Sequence, residues 1–90
     1  MNEDAAQTIA LLALSFLAED DDRLGRFMGW TGLDSDQMRG APTDLAMLGG
    51  VLDYLLAFEP LLVEFADHAN IAPEDPVLAR QALPGHMPPM

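Results

Sequence analysis

Wound as a helix, the stretch from Leu45 to Phe58 presents apolar residues around most of its circumference. Leu45, Leu48, Leu52, Leu55 and Leu56 fall on one face, and Met47, Val51, Tyr54 and Phe58 fall on a second. Asp53 is the only charge between Asp44 and Glu59. A helix that is apolar nearly all round is a covered helix. About fourteen residues at 1.5 Å each give about 21 Å, short of a bilayer span, so the expected cover is protein. Leu48, Leu52 and Leu55 are then the expected centre of the core.

The same periodicity places the other elements. A first helix is predicted from about Glu3 to Ala18, with Asn2 or an early acid at its amino end. Ile9, Ala13, Phe16 and Leu17 share one face of it, and Leu11, Leu12 and Leu14 widen that face, so this helix is also expected to be deeply packed. Asp20 or Asp21 caps a second helix that runs to about Thr31, with Leu24, Phe27 and Met28 inward and Asp22 and Arg26 spaced as an i,i+4 ion pair. Gly32 stands where a left-handed residue ends that helix. A short third helix starts at Asp34 or Ser35 and lasts to about Arg39; after it Gly40, Ala41 and Pro42 mark a break, and Thr43 caps the central helix.

Inside the central helix, Gly49 and Gly50 each cost about 1 kcal/mol relative to alanine, which points to close approach of a neighbouring backbone or to a bend. Pro60 suits the first turn of a fifth helix carrying Leu61, Leu62, Phe65, Ala66 and Ala69 on one stripe, and Asn70 is placed to end it. A last helix runs from near Pro73 to Leu83. The segment 84–90 holds three prolines and one glycine and is expected to be a disordered tail, leaving 1–83 as one domain. No stretch alternates β-branched residues, so the expected fold is all-α, a small bundle of about five to six helices.

Offsetting the chain by 38 residues pairs Leu14 with Leu52, Phe16 with Tyr54, Leu17 with Leu55, Asp21 with Glu59, Leu24 with Leu62 and Phe27 with Phe65. The punctuation pairs too: Gly32 with Asn70, Leu33 with Ile71, Ser35 with Pro73. The physical reading is two copies of a long, medium and short helix, each with an apolar face that it buries on the other. Two pairs break the scheme. Trp30 aligns with His68 and Phe58 with Asp20, so each copy has a large aromatic where its partner is polar.

Charge narrows the partners. Fifteen acids against four arginines and no lysine give a net charge of -11, which repels nucleic-acid phosphates and anionic headgroups. Direct binding to nucleic acid or membrane is not expected. The absence of cysteine removes disulfides and thiolate metal sites and fits a reducing compartment, so the cytoplasm is the expected location. The apolar decad from Ile9 to Ala18 has the length of a signal-peptide core but lacks a basic region before it, and is not read as one.

Candidate chemistry is sparse. Glu19, Asp20, Asp21 and Asp22 are consecutive and point in different directions on a helix, which suits a cap and an acidic first turn better than a cation site. His68 lies near the carboxyl end of the fifth helix on its polar side and is read as a solvated residue, and His86 lies in the tail. No nucleophile elbow or phosphate loop is present. No catalytic, cofactor-binding or metal-binding residue is assigned, no cofactor is implied, and an enzyme is not expected.

The blocks Phe16-Leu17-Ala18-Glu19-Asp20, Thr31-Gly32-Leu33-Asp34 and Val51-Leu52-Asp53-Tyr54-Leu55-Leu56, followed by Leu62 and Phe65-Ala66, resemble a family of short alphaproteobacterial proteins that share a domain of unknown function. The resemblance covers nearly the whole chain apart from the tail. It departs at Asp21 and Asp22, where the family pattern has an acid followed by proline. It implies an all-α fold and a bacterial cytoplasmic setting, and carries over no functional residues.

With half of the residues apolar in 90, a chain of this size has more apolar surface than it readily hides. The leading functional expectation is a helical protein-protein interaction or self-associating module; the alternative is an acidic decoy that occupies a basic nucleic-acid-binding surface of another protein. The candidate interaction surface is Trp30 with Phe27, Met28 and Phe58. Trp30 lies about 200° from Met28 around the second helix, off the centre of the inward stripe, and tryptophan is enriched in interface hot spots.

Overall fold

The first helix begins where Asn2 turns its side-chain oxygen back onto the Ala5 amide at 2.7 Å, satisfying one of the donors that a helix start leaves open. From that cap the computed structural model, which describes residues 1–40 and 45–83, builds six helices and, among those residues, no strand. They are α1 Glu3–Ala18, α2 Asp21–Thr31, α3 Ser35–Gly40, α4 Leu45–Ala57, α5 Glu59–Ala69 and α6 Glu74–Ala82. The protein is an all-α bundle. The Thr43 cap and the expected tail fall outside the described residues.

Local chemistry sets each boundary. Asp20 is the cap of α2, its Oδ1 accepting from the Asp22 amide at 2.8 Å and the Arg23 amide at 3.4 Å. Gly32 (φ 77°) and Asn70 (φ 58°) both adopt the left-handed conformation and end α2 and α5. These are the two residue types that tolerate it best. Asp34 and Gln37 close a reciprocal capping arrangement at the start of α3, each side chain accepting from the other's amide.

The core lies between α1 and α4. Ala6, Ile9, Ala10, Ala13, Phe16 and Leu17 form the buried stripe of α1, and its three alanines leave room for α4 and α6 to come in close. Leu48, Val51, Leu52 and Leu55 answer from α4, with Phe27 of α2 and Phe65 of α5 closing the two sides. Leu48, Leu52 and Leu55 are buried, as the central helix required. Leu11 and Leu12 are partly exposed, because they lie off the stripe that the neighbouring helices cover.

The chain turns by 114° between α4 and α5. Phe58 is the hinge, with its carbonyl accepting from the Leu61 and Leu62 amides at 3.0 Å each. No single helix among the described residues is long and apolar enough to cross a membrane; α4 and α5 together have the length and composition, and the bend falls between them.

The glycine pair has a different cause from the one expected. A Cβ on Gly49 would meet not a backbone but the guanidinium of Arg80, with Nη1 at 3.1 Å. Arg80, on α6, is only 8% exposed and donates from Nε to Asp53 Oδ1 at 2.6 Å. The single charge of the central helix thus holds the one buried charge of α6, over a glycine that makes space for it. Gly50 has nothing within 4 Å of its missing Cβ.

The offset of 38 residues carries α2 onto α5 from first residue to last, and Gly32 onto Asn70. It also exchanges contacts. Phe16 packs on Phe65 with ring centroids 5.5 Å apart, and the shifted pair, Tyr54 and Phe27, packs at 5.2 Å. Phe16 packs on His68 at 5.2 Å, and the shifted pair, Tyr54 and Trp30, at 5.3 Å. Two ring contacts around Phe16 thus recur around Tyr54 under the same offset.

Candidate functional site

Four rings gather where the end of α2 meets the α4–α5 bend. Phe27 is the floor, 1% exposed and edge-on to Tyr54. Tyr54 is buried in turn beneath Trp30 and Phe58, at 5.3 and 5.1 Å between centroids, and these two outer rings stand edge to face at 6.3 Å. Trp30 is 50% exposed and Phe58 43% exposed. Together with Arg23, Arg26, Pro60 and Leu61, the three upper rings line a cleft of about 420 Å³. That volume lies within the range of sites that take a small molecule or a few side chains of a partner.

The backbone explains why Phe58 points outward. It occupies the N-cap of α5 but has no side-chain acceptor to offer, so the start of that helix rests on Pro60 in the first turn and on the two bonds to the Phe58 carbonyl. At the corresponding position of the first half, Asp20 makes the side-chain cap. A good cap contributes about 1 kcal/mol. At position 58 that contribution is given up and a large ring is left half in water.

Of the proposed surface residues, Trp30 and Phe58 are side by side on the surface, which their separation in sequence did not reveal. Phe27 and Met28 require correction. Phe27 is a core residue, held by Tyr54, and Met28 is half-buried against the core; both lie on the inward stripe of α2, which the bundle covers completely at Phe27. Tyr54, counted only as a core position in the sequence, is the residue that joins the two outer rings. The expected Asp22–Arg26 pair is not formed among the described residues. Arg23 instead reaches Glu64 on α5 and lies 4.3 Å from the centroid of Phe16, while Arg26 lines the cleft.

His68 is half-exposed and also not merely solvated: its Nε2 lies 3.3 Å from Glu19 Oε2, and its ring packs on Phe16. Among the described residues no three His, Cys, Asp or Glu side chains converge in a way that could hold a metal ion. Two of the four acids of the 19–22 run are spent locally, Asp20 on its cap and Glu19 on His68.

A second, smaller cleft of about 250 Å³ lies beside Phe27, Thr31, Leu33, Ala46, Met47 and Gly50.

Comparison with curated proteins and with solved structures returns no match to either. Residues 3–86 match the family described as "Protein of unknown function (DUF3572)", a span that takes in all six helices and the cleft, and the chain belongs to that family.

Proposed function

We propose that the protein is a non-catalytic helical interaction module of the bacterial cytoplasm, and that it docks a protein partner through the Trp30–Phe58 face. The observation that carries this reading is the pair of half-exposed rings stacked on a buried tyrosine at the rim of a cleft. Aromatic side chains supply large contact area at low entropic cost and dominate interface hot spots. Here they are also rigid before binding, since each is fixed by another ring, and a preformed anchor loses less freedom on association.

The described residues of the cleft lining carry no carboxylate, and their one hydroxyl is that of the buried Tyr54, which supports binding rather than chemistry. The lack of cysteine supports a reducing compartment. The overall charge suits a decoy of nucleic acid equally well, but Glu19, Asp20, Asp34 and Asp36 at the ends of α1, α2 and α3 already serve as caps and ion-pair partners, which weighs against that reading.

Quantitative affinity purification tests the proposal. Tagged wild-type protein is compared with Trp30→Ala, Phe58→Ala and, as a control, Val63→Ala, which alters an equally exposed apolar residue of α5 outside the cleft lining. A partner retained by wild type and Val63→Ala and lost from the two cleft variants supports the proposal, provided that thermal melts show all of them folded. A collapsed melting temperature for Trp30→Ala with association unchanged would assign Trp30 to the core and refute it.

A further inference from the structure

The 38-residue offset supplies an internal control for the cleft, because the ring contacts around Tyr54 recur around Phe16, where charged groups close the site. At the closed end Phe16 takes the place of Tyr54, and its neighbours are satisfied within the chain. Glu64 pairs with Arg23, the Arg23 guanidinium lies over the Phe16 ring, and His68 pairs with Glu19. Carrying the Arg23–Glu64 pair through the 38-residue offset turns it into Leu61 and Arg26. Both line the cleft, but leucine has no carboxylate, and Arg26 makes no ion pair or hydrogen bond among the described residues.

The same exchange replaces His68 by Trp30 and Asp20 by Phe58. An ion-paired polar end thus becomes an apolar end with one unspent cation. Among the described residues, the seven that line the cleft include two of the four arginines and no acid. Arg23 is neutralised by Glu64, so on a chain with a net charge of -11 the cleft presents Arg26 as a cation without a partner among the described residues.

Resting on the docking role proposed above, we infer that the partner supplies the group that the chain supplies to itself at the other end: an aspartate or glutamate carboxylate for Arg26, carried about one helical turn from an apolar side chain that enters between Trp30, Tyr54 and Phe58. A guanidinium offers its donors in a planar fork that matches a carboxylate, and the neighbouring rings exclude water from the pair and so strengthen it. The partner segment is therefore acidic and apolar, opposite in sign to what the net charge of the protein calls for. The long-range repulsion between two acidic molecules is screened over about 8 Å at physiological salt, whereas the contact at Arg26 is not. The charge sets how fast the two meet, and the cleft decides whether they stay.

The sole tryptophan lies in the cleft, so its indole resonance reports on this site directly. The probes are three capped alanine-based helical peptides, each with leucine one turn from a variable residue, which is glutamate, glutamine or lysine. Titrated into the intact protein and followed by NMR at the Trp30 indole, the glutamate peptide is expected to bind about threefold to tenfold more tightly than the glutamine peptide, with lysine weakest. Arg26→Glu should reverse that order, with the fold checked by its amide spectrum. Equal binding of all three peptides at Trp30 would overturn the inference and leave the docking role standing. No saturable shift at Trp30 with any of them would overturn both. A glutamate preference that survives Arg26→Glu would also overturn the inference, since the cation would then not be the one named.

Discussion

Alanine at the two glycines of α4 should stabilise the protein at one position and not at the other. At Gly50, which has nothing within 4 Å of its missing Cβ, alanine recovers the full helix preference of about 1 kcal/mol. For a domain of this size that raises Tm by about 4 to 8 °C. Gly49 gains the same preference and pays a contact. Its new methyl carbon would sit 3.1 Å from Arg80 Nη1 and 3.2 Å from Cζ, about half an ångström inside ordinary van der Waals separation. Arg80 has little freedom to retreat, because it is almost wholly buried and its Nε is bound to Asp53 at 2.6 Å.

Overpacking of this kind costs about 1 to 3 kcal/mol, so Gly49→Ala should range from neutral to about 2 kcal/mol destabilising. The two variants should therefore differ by about 1 to 3 kcal/mol although their sequence change is the same. Thermal and urea denaturation followed by circular dichroism reads the difference. A double-mutant cycle identifies its source: in an Arg80→Ala background the penalty at Gly49 should vanish and the helix gain return. If Gly49→Ala stabilises as much as Gly50→Ala, the guanidinium is not packed on this glycine and the account of α6 is wrong.

Three further outcomes are expected. Leu52→Ala removes a fully buried side chain from the centre of the bundle and should cost about 2 to 5 kcal/mol, and a melt within a degree of the parent would refute its central place. Asp20→Ala removes the only side-chain cap of α2 and should cost about 0.5 to 2 kcal/mol, whereas Phe58→Ala removes no side-chain cap and should leave the helicity of α5 unchanged by circular dichroism. In a filter-binding assay at moderate salt the protein should be retained on neither DNA nor RNA beyond an inert acidic control; salt-sensitive binding to either would overturn the charge argument.

Much of this structure follows from local rules that a sequence states openly. The period of the leucines fixed α4 as the buried helix; the left-handed residues Gly32 and Asn70 and the cap at Asp20 fixed where α2 and α5 stop or start. Each of these depends on residues within one turn of each other, so no knowledge of the fold is required. The mismatch of Trp30 with His68 and of Phe58 with Asp20 was equally visible and singled out two of the residues that line the cleft.

Only the tertiary structure decided what those residues meet. Trp30 and Phe58 belong to different helices, and their contact exists because the chain bends by 114° after α4 and because Tyr54 lies between them. Periodicity places Phe27 on the inward stripe beside Trp30, but it gives a direction around a helix and not how far the neighbouring elements extend over it. The i,i+4 spacing of Asp22 and Arg26 was a possible pair, and the competition from the opposite helix, where Glu64 engages Arg23, is invisible without the packing. Gly49 is the sharpest case: a helix penalty readable from the sequence, whose cause is a guanidinium arriving from two helices further along the chain.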